Sequence, residues 1–290
     1  MQKNIFMALM FCSMIAWGIS WSGIKIMNEY MPATELVFVR YFITAVALFF
    51  TVIVLKQSFM IDKKSFFIAV FIALITVIYG YAVFLGTKLG TASLAGAFIN
   101  TFSPIITFII LIFIYKRKIY KLDICALSIG FVGTMLMLGL WQFDLSKIVT
   151  PYNLYFILGA LLWSILTIAS SKAKVNMVVF SFYMYTFTSL FSAFFADFDT
   201  IVNASVDLRF WLSTLFVSVV STAIASTIFF LGTRKIGADG VSSFMFVTPI
   251  SAIGFGVFAL DEKLGFFTFV GISMAILAVY MLNRIGIFKR

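Results

Sequence analysis

The chain has 290 residues, of which 63% are hydrophobic, 11% are charged and 37 are phenylalanine. Soluble domains contain about 45–50% apolar and about 25% charged residues, so this composition excludes a water-soluble globular domain and indicates a chain dissolved in lipid. The formal net charge of +10 raises the question of an anionic partner. In a membrane protein, however, basic residues first report orientation, and we therefore expect no nucleic-acid partner.

Ten apolar runs have roughly the length, about 17–25 residues, that crosses a bilayer. In chain order they cover residues 5–26, 34–55, 65–86, 92–115, 121–140, 152–171, 175–196, 209–232, 239–260 and 264–284. The first run is followed by no small-residue cleavage site, which favours a helix over a signal peptide. The sequence thus predicts an all-α integral membrane protein with ten transmembrane helices.

Lysine and arginine are unevenly divided between the two predicted faces. With the N-terminus inside, 15 of the 21 basic residues fall on the inner side, among them Lys116–Lys118, Lys289 and Arg290. Five fall on the outer side, and Arg40 lies within span two. Because basic loops stay in the cytoplasm, both termini are predicted to be cytoplasmic. The predicted location is the cell (inner) membrane, crossed many times.

The chain contains two similar halves. FLGTKLG (Phe84–Gly90) and FLGTRKIG (Phe230–Gly237) lie 146 residues apart. Three more pairs share this offset within one residue, namely Trp17 with Trp163, Pro104 with Pro249 and Gly133 with Ala278. This predicts a five-helix repeat over residues 5–140 and a second over 152–284, inverted because five is odd. Gly86 and Gly232 are expected to ease the ends of spans three and eight.

Five segments carry a family resemblance: AWGISWSGIK in span one, PATELVFVR opening span two, NTFSPIITF in span four, LLWSILTIASSK in span six, and TPISAIGFGVFALDEKLGFFTFVGI across spans nine and ten. Through them the chain, over about residues 5–284, resembles the ten-helix EamA-type permeases of the drug/metabolite transporter superfamily. One departure is that the family often has Gly-Glu after span four, where this chain has Tyr115-Lys116-Arg117. The resemblance implies a secondary transporter that works by alternating access.

Polar and aromatic side chains at membrane depth are the candidates for substrate binding. They are Trp17, Ser20, Trp21, Arg40, Tyr79, Asn100, Trp163, Thr167 and Tyr183. Rings together with hydroxyls suit an amphipathic solute. Interfacial anchoring and helix packing are the alternatives for the tryptophans, and contact between helices is the alternative for Asn100. At most one tyrosine of each pair two residues apart, Tyr79/Tyr81 and Tyr183/Tyr185, is expected to line a cavity.

Arg40 lies about two turns into span two, where a cation is costly unless it faces protein or water. In a cavity it would attract a carboxylate or phosphate group of a substrate. The alternative is structural, a pair with Glu35 or Glu29 or with carbonyls at a helix end, or a side chain that reaches the interface. The family resemblance places an arginine here whatever the substrate, which leans toward the structural interpretation.

Pro104 and Pro249 each remove a backbone hydrogen bond within a predicted span. A hinge that takes part in gating and a fixed bend are both compatible with this position. The sequence leaves the choice open.

The expected function is ATP-independent export or facilitated passage of small metabolites such as amino acids. Import or exchange of quaternary amines, nucleosides or sugars is the alternative. The chain has no histidine, no carboxylate near the middle of a span and no phosphate-binding loop, which disfavours a central proton site and an ATPase module. An intramembrane enzyme for lipid-linked substrates would need acid, base or metal groups.

We therefore expect no enzyme activity, no cofactor and no metal. The two cysteines, Cys12 and Cys125, lie in apolar runs without ligand spacing and are expected to pack against neighbouring helices. The expected partners are a small-molecule substrate and membrane lipid, and a homodimer is compatible but not required.

Overall fold

The computed structural model describes residues 3–115, 120–137, 150–263 and 265–287, and within these ranges the chain is helical without a strand. The helices are α1 (Lys3–Met27), α2 (Ala33–Val54), α3 (Lys63–Leu89), α4 (Ala92–Tyr115), α5 (Lys121–Met137), α6 (Pro151–Ser170), α7 (Met177–Ala193), α8 (Phe198–Asn203), α9 (Leu208–Leu215), α10 (Ser226–Ser242), α11 (Val247–Leu260) and α12 (Phe266–Ile287). A π-helix (Phe216–Ala225) joins α9 to α10, and a 3-10 turn (Ser243–Phe246) leads into α11.

Within the described residues, six helical stretches are long and apolar enough to cross a bilayer. They are Ile5–Met27, Ala33–Val54, Lys63–Leu89, Ala92–Ile114, Pro151–Ser170 and Leu208–Ala238, and the shorter apolar helices Met177–Ala193, Val247–Leu260 and Phe266–Ala278 accompany them. The prediction of an all-α membrane protein is confirmed, whereas the count of ten spans and the cytoplasmic termini stay predictions. Residues 138–140 of predicted span five, residue 264 of span ten, Lys116–Lys118, Lys289 and Arg290 lie outside the described residues.

Several helices begin at a side chain that accepts a backbone N–H. The acceptor–donor pairs are Asp62 with Ser65 for α3, Thr150 with Asn153 for α6, Asn176 with Val178 for α7 and Asp207 with Phe210 for α9. Such caps satisfy donors that a helix start leaves free. At α9 the hydrogen bonds from the Phe210 N–H and the Tyr30 hydroxyl hold the pKa of Asp207 below its usual range. The caps thereby set where each helix leaves its loop.

The helices pack in reciprocal pairs. Helix α4 packs on α6 and α1 packs on α11, while α3 packs on α6 and α1 on the π-helix. The pairs α5–α12, α2–α7 and α4–α11 join helices at equivalent places in the two predicted repeats. Exchanging the halves therefore maps one set of contacts onto the other. This agrees with the predicted inverted duplication, which itself stays a prediction.

Gly86 and Gly232 lie inside α3 and α10 and do not end these helices as expected. A Cβ added at Gly86 would lie 2.8 Å from the Phe156 ring, so glycine here permits close approach of α6. The last glycine of each copy marks the change instead: Gly90 follows the end of α3, and Gly237 interrupts α10. The Gly90 N–H donates to the Gly86 carbonyl at 2.8 Å beyond the end of α3, and Gly237 breaks α10 with φ 84°, a conformation that favours glycine.

Pro249 also lies elsewhere than expected. It is the third residue of α11, directly after the 3-10 turn Ser243–Phe246, and so lies near the start of that α-helix rather than in its middle. Pro104 does lie inside α4. Beside it the Ser103 hydroxyl lies 2.6 Å from the Ile99 carbonyl of α4 and 3.2 Å from the Ala160 carbonyl of α6, so it contacts both helices.

Candidate functional site

A cavity lies where helices from both halves of the chain meet. Seven of the nine predicted binding residues line it, namely Trp17, Ser20, Trp21, Arg40, Tyr79, Asn100 and Trp163. Sequence reasoning did not assign the others, which are Ile24, Tyr41, Thr76, Tyr185, Ser221 and Ser226. The solvent-accessible space between them is about 30 Å³, room for two or three waters on a scale of about 10–15 Å³ each. Substrate binding by these residues stays a prediction.

An aromatic cluster forms one wall of the cavity. The rings of Trp17 and Trp163 meet edge to face with centroids 5.0 Å apart, an arrangement that aromatic quadrupoles favour. The ring centroid of Phe229 lies 4.9 Å from that of Trp17 and 5.8 Å from that of Trp163. The ring centroid of Tyr79 lies 5.2 Å from that of Trp163. The two tryptophans that share a place in the sequence repeat therefore touch each other.

The indole N–H groups of these two tryptophans are in different situations. Trp17 Nε1 donates to the Ser221 carbonyl at 3.0 Å. Trp163 Nε1 is buried and has no hydrogen-bond partner. An unpaired buried donor costs about 1–3 kcal/mol, and here it belongs to a residue that lines the cavity.

Arg40 is 8% exposed and reaches the cavity from α2. Its Nη2 and Nε donate to the Thr222 hydroxyl oxygen at 3.0 and 3.3 Å, and its guanidinium carbon lies 5.2 Å from the centroid of the Tyr41 ring. Nη1 is buried without a partner. The arginine is thus held by one hydroxyl and one ring and keeps a free donor.

The two carboxylates considered as partners for Arg40 are engaged elsewhere. Glu35 accepts the backbone N–H of Asp197 at 3.2 Å. Glu29 forms an ion pair with Arg209 at 2.9 Å, with both side chains about half exposed. Arg40 therefore has no salt bridge to any carboxylate in the part of the chain that the structure describes, and the expected pairing with Glu35 or Glu29 does not form.

The π-helix Phe216–Ala225, which belongs to the second half of the chain, contacts Arg40 through Thr222. A π-helix leaves carbonyls in unusual positions and is often found at functional sites. Side chains contact these carbonyls here. Thr222 donates to the Val217 carbonyl at 2.6 Å and Trp17 donates to the Ser221 carbonyl. The Thr44 hydroxyl lies 3.0 Å from the Ser218 carbonyl and 2.8 Å from the Arg40 carbonyl. The sequence signal for this segment is the run VSVVSTAIAST, rich in small and hydroxyl residues, a composition typical of close helix packing.

Thr167 and Tyr183 are the predicted residues that the structure does not bring to the cavity. The Thr167 hydroxyl donates to the Trp163 carbonyl one turn earlier, at 2.8 Å. The Tyr183 hydroxyl donates to the Phe59 carbonyl at 2.9 Å. Both hydroxyls are therefore used within the protein frame.

One tyrosine of each pair lines the cavity, as the helical geometry predicts. Tyr79 does so and Tyr81 does not, while on α7 the lining residue is Tyr185 in place of Tyr183. Tyr185 stacks on Tyr41 with centroids 5.6 Å apart and an interplanar angle of 14°. Which member of a pair faces inward depends on the rotation of α7 about its axis, which the sequence does not specify.

The turn between α3 and α4 is held by two charged side chains. Lys25, near the end of α1, donates to the carbonyls of Thr87 and Gly90 at 2.8 and 2.7 Å. The Glu262 carboxylate, after α11, accepts the N–H of Ala92 at 2.6 Å and that of the next residue at 2.9 Å. Each charge matches the dipole of the helix end it contacts. We call these contacts the α3–α4 clamp.

Cys12 and Cys125 are free and exposed on α1 and α5, whereas packing against neighbouring helices was expected. A small apolar side chain is equally suited to contact with lipid. Within the described residues no group of three or more Cys, Asp or Glu is placed to hold a metal ion.

Comparison with known proteins finds a family match along both halves. The model of the EamA-like transporter family matches residues 4–139 and again 150–284. An uncharacterized transporter of Archaeoglobus fulgidus is 23% identical over 94% of this chain and 95% of its own length. The uncharacterized transporter YetK of Bacillus subtilis is 24% identical over 89% and 80%. A solved crystal structure covers 100% of both chains with a TM-score of 0.67 at 13% identity, which shows a shared fold.

Proposed function

This chain belongs to the EamA-like transporter family, and from that premise we propose that it is a secondary transporter of small amphipathic metabolites such as amino acids. It works without ATP, by alternating access, as a multi-pass protein of the inner membrane. In this proposal the cavity around Trp17 and Trp163 is the substrate site. Export or facilitated passage is the direction we propose.

The observation that carries the proposal is the composition of the cavity. Trp17 comes from the first half and Trp163 from the second, and their rings are in contact. Transporters built of inverted repeats bind substrate between the repeats, because a site at that position is reached from either side when one half moves against the other. The aromatic wall and the hydroxyls of Ser20 and Thr76 suit a solute with an apolar body and a polar head.

The size of the cavity supports movement as part of the cycle. About 30 Å³ of accessible space is far less than the roughly 300 Å³ or more of a typical metabolite site. A substrate therefore enters only after the helices that line the cavity separate. The α3–α4 clamp lies at the membrane face where α1 ends. Its contacts are suited to keeping the cavity closed on that face while it opens on the face where α1 begins.

Transport by purified protein in liposomes tests the proposal. We expect ATP-independent uptake and counterflow of at least one labelled amino acid from a broad panel. Trp163→Ala is expected to lower uptake about tenfold or more, since an aromatic contact together with its buried area contributes a few kcal/mol. The matched control is Trp211→Ala, because Trp211 is 45% exposed and lies outside the cavity.

Two results would contradict the proposal. One is the absence of any moving solute in a panel of amino acids, amines, nucleosides and sugars with protein that is folded by size-exclusion chromatography. The other is normal transport by Trp17→Ala and Trp163→Ala, which would remove the cavity as the site even if transport occurs.

A further inference from the structure

Two side chains that line the cavity each carry a buried hydrogen-bond donor with no acceptor among the described residues. The donors are Arg40 Nη1 and Trp163 Nε1, on side chains that are 8% and 7% exposed. Buried donors in native proteins are nearly always paired. A structural arginine would be expected to satisfy its donors within the protein. Two free donors on residues that line one cavity therefore indicate a ligand that supplies acceptor oxygens.

The charges around the cavity favour an anionic acceptor. Among the described residues that line it, Arg40 alone is charged and none is Asp or Glu. A cationic head group would meet an arginine and no counter-ion, which is unfavourable at membrane depth. A carboxylate would neutralise the guanidinium and accept from both free donors through a charge-assisted hydrogen bond.

Thr222 determines which donor of Arg40 stays free. Its hydroxyl oxygen accepts from Nη2 and Nε, and its own hydrogen is donated to the Val217 carbonyl. The hydroxyl has one donor and two acceptor positions, so these three bonds use all of them. The guanidinium is thereby held at one edge with Nη1 unengaged. Thr222 acts through Arg40 and is a positioning residue.

We propose that the transported class is small organic carboxylates with a flat apolar body, bound by Arg40 and Trp163 at the head group and by the aromatic wall at the body. This inference rests on the proposed function and adds the charge of the substrate. It predicts rejection of amines that carry no carboxylate, including quaternary amines, by the same cavity.

Three ligands with one ring and one chain length test the head group. They are 3-phenylpropionate, its neutral amide 3-phenylpropanamide, and the amine 3-phenylpropylamine. Each is measured at neutral pH by the shift in melting temperature of the purified protein and by inhibition of counterflow. We expect the carboxylate to bind about 10- to 100-fold more tightly than the amide, as a charge-assisted bond implies, and the amine not to bind.

Variants separate recognition from structure. Arg40→Gln is expected to reduce carboxylate affinity to that of the amide while leaving amide affinity unchanged. Trp163→Phe keeps a ring and removes the N–H, and is expected to weaken the carboxylate about two- to tenfold. Thr222→Val is expected to raise KM for the carboxylate only, with recovery in Thr222→Ser. Arg209→Gln, which removes a surface arginine, is the matched control and leaves both affinities unchanged.

The outcomes distinguish this inference from the proposed function. If the amide binds as tightly as the carboxylate, or if folded Arg40→Gln keeps the preference, the inference is overturned. The same holds if amines or neutral solutes are transported and carboxylates are not, while the proposed function then stands. If no solute moves, the proposed function fails too. Should Arg40→Gln not fold, the wild-type comparison and Thr222→Val decide.

Discussion

Tyr183 and Tyr185 lie two residues apart on α7 and meet different surroundings. The Tyr185 ring stacks on Tyr41 at the cavity, whereas the Tyr183 hydroxyl donates to the Phe59 carbonyl in the loop before α3. Two residues along a helix turn the side chain by about 200°. The two tyrosines therefore have different surroundings: Tyr183 contacts the loop before α3, and Tyr185 lines the cavity.

This difference gives a matched pair of variants. Tyr183→Phe is expected to lower the free energy of unfolding by about 1 kcal/mol, the contribution of one hydrogen bond, with substrate affinity unchanged. Tyr185→Phe, which removes a hydroxyl bonded to Ser226 at the cavity, is expected to change substrate affinity. Melting temperature and counterflow KM, measured on both variants, check the prediction. If Tyr183→Phe changed substrate affinity and Tyr185→Phe changed only stability, Tyr183 and not Tyr185 would face the substrate.

At the scale of elements, α5 and α12 approach each other closely through two glycines. A Cβ added at Gly133 would lie 2.6 Å from the Gly271 carbonyl oxygen, and one added at Gly271 would lie 2.5 Å from that of Gly133. Such contact needs glycine on both helices, and small residues permit it in membranes. This close contact joins α5 and α12, the last helix of the first predicted repeat and the last helix of the second.

We therefore expect Gly133→Ala to destabilise the protein by about 1–3 kcal/mol, the cost of overpacking a close contact. Gly254→Ala is the control, since nothing lies within 4 Å of a Cβ added there. Thermal unfolding in detergent, followed by fluorescence-detected size exclusion, gives the comparison. Equal stability of the two variants would show that α5 and α12 can move apart at no cost.

The π-helix and the α3–α4 clamp are elements of another kind, because both depend on partners distant in sequence. Trp17 and Thr44 from the first half donate to carbonyls of the π-helix. Glu262 caps α4 from about 170 residues away. The helix propensity of the local sequence predicts neither the π-helix nor the α3–α4 clamp, because the hydrogen bonds that stabilise them come from residues distant in sequence.

At the scale of the whole molecule, the orientation in the membrane is open to a direct test. The charge distribution predicts that Lys64 faces the cytoplasm and Asp199 faces outward, and both are exposed. In a background with Cys12→Ser and Cys125→Ser, we expect a membrane-impermeant maleimide on intact cells to label Asp199→Cys and not Lys64→Cys. Permeabilised cells should label both. Labelling of Lys64→Cys alone in intact cells would invert the predicted topology.

Sequence was sufficient for the membrane class, the helical fold and the family, because each depends on composition and on runs of apolar residues that lipid alone requires. It also found most of the cavity. Polar side chains are costly at membrane depth and therefore rare there, so Arg40 and Asn100 are recognisable as candidates before any contact is known. Trp163 is recognisable because it is an aromatic residue within a predicted span and pairs with Trp17 in the repeat.

Only the tertiary structure decided how those residues are used. Whether Arg40 pairs with a carboxylate or keeps a free donor depends on where Glu29 and Glu35 find other partners. Whether Tyr183 or Tyr185 faces the cavity depends on the rotation of α7, and the position of Pro249 depends on a 3-10 turn before α11. Each outcome is set by contacts between segments far apart in the chain, and periodicity within one helix carries no information about its neighbours.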